Sequence, residues 1–321
     1  MWNGSKNMKI IFFGSDDFAA VSLKRLIDSG QKIVAIVTQP DRPKGRGLKV
    51  TASTIKVLAQ EQGMDCLQPP DFKEPKWVKQ LQSYQADLFI VIAYGQILPG
   101  RILGIPRLGA INVHASLLPK YRGAAPINWA ILKGEKETGV TVIQMNEQMD
   151  AGDIVSQSSI AIQENDNAVT LRAKLAVLGA DILLDAVTDF EKRQACGKKQ
   201  DDRQVSLAPK LTKELGLIDW RLPAAQIHNL VRGLIPWPSA YTYWEGRQLK
   251  ILETEMSKGS AMNQQPGEII EVNEGRVVVQ AGRDALLIKK VHLESAKPME
   301  VRTFITGHKI SVGTVLTNPR G

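Results

Sequence analysis

Residues 9–38 read KIIFFGSDDFAAVSLKRLIDSGQKIVAIVT. An apolar run of strand length, residues 9–13, stops at Gly14. Phe18, Val21, Leu26 and Ile27 then recur at roughly helical spacing until Gly30, and KIVAIVT supplies a second strand-length run. Strand, helix, strand is the unit of a parallel sheet. The same alternation continues with helices in STIKVLAQEQG, residues 75–85 and APINWAILKG, and strands in DLFIVIAYG, GAINVH and GVTVIQM. The pattern predicts an α/β domain with a Rossmann-like, mostly parallel sheet covered on both faces. A long helix over AVTLRAKLAVLGADILLDAVTDFEKR closes it.

The pattern changes after this helix. QACGKKQDDRQVSLAP is polar and without period, and reads as a linker. Beyond a helical piece, AAQIHNLVRGL, short strands separated by glycine turns predict a small β-barrel or sandwich. The expected organisation is a catalytic domain over residues 8–193, a linker over 194–208 and a second domain over 209–321. Residues before Met8 are set aside as an extension.

The chain has 321 residues, 43% hydrophobic and 23% charged, the composition of a globular protein. No apolar run approaches the roughly 20 residues of a membrane span, and no secretory signal is recognisable. Cys66 and Cys196 stand too far apart to suggest a disulfide framework or a metal quartet, so reduced thiols and a cytoplasmic location are expected. The net charge of +8 permits a polyanionic partner without requiring one. A bound dinucleotide is excluded at the first βα turn: FFGSDDF has one glycine where the fingerprint needs three.

Chemistry is concentrated in INVHASLLPKYRGAAPI, residues 111–127. Asn112 and His114 are two apart on a strand and so share a face at its carboxyl end, where open α/β sheets bind ligands. GVTVIQM runs into NEQMDAGD at its own carboxyl end, which brings Asp150 within reach of the same cleft. An amide can donate to a developing oxyanion. An imidazole can do the same or carry a proton. A carboxylate can orient the imidazole, raise its pKa or hold a water. The set suits acyl transfer between two bound substrates. Ser116 lacks the G-x-S-x-G elbow of a serine hydrolase, and His114 has no second His or Cys nearby for zinc. Structural roles for all three residues remain open on spacing alone.

NVHASLLPKYRGAAPI followed by ETGVTVIQMNEQMDAGDI resembles the folate-dependent formyltransferases. The resemblance implies 10-formyltetrahydrofolate as formyl donor, an amine as acceptor and no metal. Carried over, Asn112, His114 and Asp150 match the family's catalytic trio, and Ser116, Leu117, Leu118 and Pro119 its folate-binding turn. In IVIAYGQIL, residues 92–95, with Ile92, Tyr94 and Gly95, fall along the pteridine pocket. TQPDRPKGRGLKV, IDW and IPWPSAYT further resemble the branch that formylates methionyl-tRNA. That implies initiator methionyl-tRNA as acceptor, a role in translation initiation, an OB-like second domain touching tRNA, and a monomer. Arg42, Lys44, Arg46 and Lys49 become candidates for the acceptor stem; composition alone would make that loop a solvated one. Lys250, Arg247, Lys289 and Lys290 are basic candidates in the second domain, where Trp237 and Trp244 are read as core before base-stacking. GSDDF and Ala115 depart slightly from the family pattern. Amino-sugar nucleotide formylation, formyltetrahydrofolate hydrolysis and non-catalytic RNA binding stay as alternatives.

Overall fold

Three of the apolar runs become neighbouring strands at the centre of a seven-stranded sheet. In chain order the strands of the first half are β1 (Lys9–Gly14), β2 (Lys32–Val37), β3 (Arg42–Lys44), β4 (Lys49–Thr51), β5 (Cys66–Leu67), β6 (Leu88–Ile92), β7 (Ala110–His114), β8 (Arg122–Gly123), β9 (Glu137–Gln144), β10 (Ile154–Ala161) and β11 (Leu207–Ala208). The large sheet runs β10-β9-β7-β6-β1-β2-β5. Its β5, β2, β1, β6 and β7 are mutually parallel. Every residue of β6 is buried, which requires cover on both faces, as parallel sheets have. The computed structural model describes residues 8–44, 49–259, 264–273 and 275–317. They fall into two units: the described residues of Met1–Pro126, Glu137–Ala161 and Arg172–Ala208, and those of Ile127–Lys136, Ile162–Leu171 and Pro209–Gly321.

The helix Asp17–Asp28 begins where Asp16 accepts hydrogen bonds from the Phe18 and Ala19 amides. Phe18, Ala19, Ser22, Leu23 and Leu26 form its buried face, while Val21 is 37% exposed. The apolar stripe therefore runs through Leu23, not Val21. Gly14 is not only a turn residue. It pairs with Ile92, and a Cβ there would lie 2.8 Å from both the Ala19 Cβ and the Phe12 ring. The glycine lets the first helix pack close to the sheet end.

The sheet is mostly, not wholly, parallel. β9 is antiparallel to β7, with His114 opposite Thr141 and Ile111 opposite Gln144, and β10 is antiparallel to β9. Asp150 thus does not hang from the carboxyl end of a parallel neighbour. It sits in the hairpin loop between β9 and β10, which folds back toward Asn112 and His114. Gly152 makes that loop possible, because a Cβ there would stand 1.6 Å from the Gln144 carbonyl oxygen.

The segment read as a linker is structured. The long helix ends at Thr188, and Phe190–Ala195 forms a separate helix. Ile154 and Lys198 exchange backbone hydrogen bonds, and β11 pairs in parallel with β8. Residues 198–208 belong to the first unit. Their backbone bonds go to single strand-end positions, Ile154 and the two residues of β8, which impose no periodic pattern on side chains.

In the second unit the strands are β12 (Ala240–Trp244), β13 (Arg247–Ser257), β14 (Ile269–Asn273), β15 (Arg276–Gln280), β16 (Ala285–Leu293) and β17 (Met299–Glu300). They form an antiparallel sheet in the order β12-β13-β16-β15-β14, with β17 on β16. Residues 313–317 close it. Thr317 exchanges two backbone bonds with Tyr243 at one edge, and Leu316 and Thr314 bond Gly267 and Ile269 at the other. Closure of this kind removes exposed strand edges. The core holds Trp220, Trp244, Leu249, Ile251, Val279, Ile288 and Phe304. Trp244 packs edge-on against Phe304 at 5.4 Å, but Trp237 is 51% exposed, contrary to a core role for both. Pro236 and Pro238 flank it, so it lies outside any ladder that could bury it. The helix Val301–Gly307 is also absent from the strand-only reading.

Candidate active site

β7 alternates as its sequence requires. Ile111 and Val113 are buried, whereas Asn112 and His114 turn a common face to Asp150. The Asp150 Oδ1 lies 3.5 Å from Asn112 Nδ2 and 3.5 Å from His114 Nδ1. These spacings are long for hydrogen bonds, as catalytic contacts often are before substrate arrives. His114 is 6% exposed, and its Nε2 lies 2.9 Å from the Tyr121 carbonyl oxygen. A carbonyl only accepts, so Nε2 carries a proton and Nδ1 is the nitrogen facing the carboxylate. The Gly123 amide donates to Asp150 Oδ2 at 2.9 Å, which fixes the rotation of the carboxyl group.

Asp150 itself has φ +53°, a left-handed conformation that aspartate tolerates better than most residues. Its carbonyl and that of Gly152 both accept from Gln200 Nε2 at 2.8 Å. Arg122 in turn donates to Gln200 Oε1 through Nε at 3.0 Å and Nη2 at 2.8 Å. Sequence reasoning missed Gln200, Arg122 and Gly123. No periodic signal marks them, since their partners are backbone atoms brought together only by folding.

The turn after His114 is held from within. Ser116 is fully buried and its hydroxyl donates to the Lys120 carbonyl at 2.6 Å. Thr141 Oγ1 accepts from the Leu118 amide at 3.1 Å and donates to the Ser116 carbonyl at 2.6 Å. Gln157 donates to the Leu118 carbonyl at 3.0 Å. Ser116 and Leu118 thus shape the turn from beneath, and Leu117 and Pro119 are half-buried. The second group of folate candidates is narrowed. Ile92 is fully buried, and the Tyr94 ring packs against Phe13 and Phe72 in the core. Burial pushes the Tyr94 phenol well above its ordinary range. A ligand at residues 92–95 would meet backbone and the exposed Ala93 and Gly95, not these two side chains.

Arg42, Lys44 and Lys49 lie on the β3–β4 hairpin, with Lys44 opposite Lys49. Their side chains, and Arg46 altogether, lie outside the described residues. The hairpin is anchored at Asp41, which accepts from Lys56 at 2.6 Å and Gln68 at 2.7 Å; these bonds hold its carboxyl below the usual carboxylate range. In the second unit Lys289 pairs with Glu255 and Lys290 with Glu300, and Arg247 donates to the Glu294 carbonyl. Among the described residues no three His, Cys, Asp or Glu side chains gather as metal ligands, and no helix is long and apolar enough to cross a membrane.

The family model described as formyl transferase matches residues 8–187, and that described as formyl transferase, C-terminal domain, matches residues 210–309. Methionyl-tRNA formyltransferase of Caldanaerobacter subterraneus subsp. tengcongensis is 45% identical over 310 residues, covering 96% of this chain and all of its own. That of Desulforamulus reducens is 45% identical over 309 residues, covering 96% and 98%. Two solved structures share the fold. HypX from Aquifex aeolicus in complex with tetrahydrofolic acid matches with TM-score 0.64 at 16% identity, over 96% of this chain and 50% of that one. WlaRD, a sugar 3N-formyl transferase, matches with TM-score 0.64 at 19% identity, over 90% and 99%.

Proposed function

The chain belongs to the formyl transferase family, and from that premise we propose that it moves the formyl group of 10-formyltetrahydrofolate to the α-amino group of methionyl initiator tRNA. Relatives at 40–45% identity over nearly the whole chain carry the name methionyl-tRNA formyltransferase, whereas the sugar-acting structures are 17–19% identical. That difference favours tRNA over an amino sugar as acceptor. The single observation that carries the catalytic reading is the convergence of Asn112 Nδ2 and His114 Nδ1 on one oxygen of Asp150.

Folate supplies a formyl group bonded to a nitrogen that can leave. The residue set suits it: an amide that can donate to a formyl oxygen and an imidazole nitrogen that can accept a proton converge on one carboxylate. The methionyl amine forms a new C–N bond to the formyl carbon, the bond from that carbon to N10 breaks, and one proton passes overall from the amine to N10. Asn112 donates through Nδ2 to the oxygen as charge develops on it. Its removal is expected to cost on the order of 10²–10³ in rate. His114 works through Nδ1, because Nε2 is committed to Tyr121. Nδ1, beside the Asp150 carboxylate, can take the proton that the amine loses. Asp150 aligns both groups. The turn at Ser116, Leu117, Leu118 and Pro119 and the backbone of residues 92–95 form the pterin side of the cleft. Arg42, Lys44, Arg46 and Lys49 meet acceptor-stem phosphates. Location in the cytoplasm and action as a monomer complete the reading.

The test offers purified protein 10-formyltetrahydrofolate with methionylated initiator tRNA, elongator methionyl-tRNA or an amino-sugar nucleotide in parallel. Formylation of the initiator at least tenfold faster than of the other two supports the proposal. Faster turnover of the amino sugar would replace it.

A further inference from the structure

Residues 198–208 reach the loop that carries Asp150 and the segment 121–123 that contacts Asp150 and His114. Gln200 Nε2 donates to the Asp150 and Gly152 carbonyls, both at 2.8 Å. Ser206 Oγ accepts from the Tyr121 amide at 2.9 Å, and the Tyr121 carbonyl is the partner of His114 Nε2. The Ser206 carbonyl accepts from the Arg122 amide at 2.9 Å. β11 pairs with β8, whose Gly123 donates to Asp150 Oδ2. Gly123 has φ +126°, and a Cβ there would lie 2.7 Å from the Ala208 carbonyl oxygen, so the two strands are in close contact. One segment therefore grips the main chain of Asp150 through Gln200, supports its carboxylate through β8 and the His114 imidazole through Tyr121.

We propose that Gln200 is a positioning residue for formyl transfer, acting through Asp150, with Arg122 fixing its amide. The proposal rests on the reading of Asp150 given above. Asp150 is in a left-handed backbone conformation, which persists only where surrounding contacts define it. The Asp150 carbonyl and, two residues on, the Gly152 carbonyl converge on one amide nitrogen. The amide's orientation is itself determined. Arg122 has five donors and no acceptor, so it can face only Oε1 and turns Nε2 toward the carbonyls. The Arg122 side chain is 14% exposed and also reaches Asp202 at 3.2 Å. Without Gln200 the loop loses one bond at Asp150, whose carboxylate must hold Asn112 and His114 in register, and a second at Gly152. A displacement of about 1 Å in a catalytic group can cost on the order of 100-fold in rate.

The discriminating variant is Gln200→Glu. A carboxylate still accepts from Arg122, so that side of the network keeps its strength. It cannot donate to the two carbonyls. The full-length protein is compared with Gln200→Glu, Asp150→Asn and the double variant, measuring kcat, KM for initiator methionyl-tRNA and for 10-formyltetrahydrofolate, the pH dependence of kcat, and Tm. Gln200→Glu is expected to lose about 10- to 100-fold in kcat, with a displaced pH profile, both KM values within about twofold and Tm lowered by only about a few degrees. The double variant should fall little below Asp150→Asn, the non-additivity of groups acting through one another. Wild-type kcat in Gln200→Glu, a loss fully accounted for by a lowered Tm, or additive losses would each overturn the proposal. Should Asp150→Asn run at the wild-type rate, the reading of Asp150 fails and the positioning role with it. A slow Asp150→Asn beside a normal Gln200→Glu removes only the positioning role.

Discussion

His114 meets Asp150 through Nδ1 at 3.5 Å, while its Nε2 is held by the Tyr121 carbonyl at 2.9 Å. The ring is thus committed to one tautomer when neutral and bridges a carbonyl and a carboxylate when protonated. This arrangement makes the imidazole's orientation a property of two loops, 121–123 and 145–153, and not of its own strand.

Asp150→Asn preserves the shape of the side chain and an acceptor for the Gly123 amide, but removes the charge. We expect kcat to fall by about 10²–10³, in the range that oxyanion and acid–base groups supply, with Tm little changed. Asn112→Ala should lose a comparable factor. Single-turnover formyl transfer measures both, and turnover within threefold of wild type in either would remove that residue from the chemistry.

Gly152 allows the 145–153 loop to cross Gln144, and an added Cβ would lie 1.6 Å from a backbone oxygen that cannot swing aside. Gly152→Ala is expected to destabilise by about 1–3 kcal/mol, the ordinary cost of overpacking, and to lower kcat as Asp150 moves. Gly307→Ala is the control, since a Cβ there meets nothing within 4 Å, and should stay within about 0.5 kcal/mol of wild type. Chemical denaturation and kcat on both variants check this. Equal behaviour of the two would refute the close-crossing argument.

Much of this site was legible before any coordinates. Asn112 and His114 share a face because a strand has period two, and that pattern is local. The direction of β9 was not legible, because a buried Val/Ile-rich strand looks alike in parallel and antiparallel neighbours. That Asp150 follows β9 is local; that its loop folds back to Asn112 and His114 is tertiary. Gly152 lies in the quoted NEQMDAGD stretch, but the reason for a glycine there, a carbonyl eight residues upstream, is tertiary. Tyr94 reads as a polar candidate in sequence, yet its ring completes an aromatic cluster with Phe13 and Phe72. Gln200 and Arg122 bind backbone atoms, and no spacing rule encodes such partners.

The basic hairpin gives a prediction about the acceptor. Arg46→Ala should raise KM for initiator methionyl-tRNA while leaving KM for 10-formyltetrahydrofolate within about twofold. If these cations neutralise phosphates, tRNA affinity should fall with salt by about 0.7–0.9 log units per log unit for each contact, and the variant's slope should be smaller by about one contact. Binding titrations at several salt concentrations decide it. An unchanged slope would place Arg46 away from the backbone of the tRNA.

The second unit should become less stable in mild acid through His228. Its Nδ1 lies 2.8 Å from the Thr254 hydroxyl, and burial, reinforced by Arg232, lowers its pKa from the ordinary histidine range; Glu164 and Glu255 oppose this only in part. The folded state therefore binds the proton less readily than the unfolded chain. Stability is fully present above the unfolded pKa of about 6.5 and is lost as pH falls from there through the lower folded value. One group can contribute at most about 1.4 kcal/mol per pH unit in that window. His228→Gln, which can still bond Thr254, should flatten the decline between about pH 6.5 and 5 without lowering stability at pH 8. Urea midpoints across that range read the difference. A wild-type slope in the variant would assign the acid sensitivity to other groups, and a slope of opposite sign in the wild type would show that His228 binds its proton more tightly when folded.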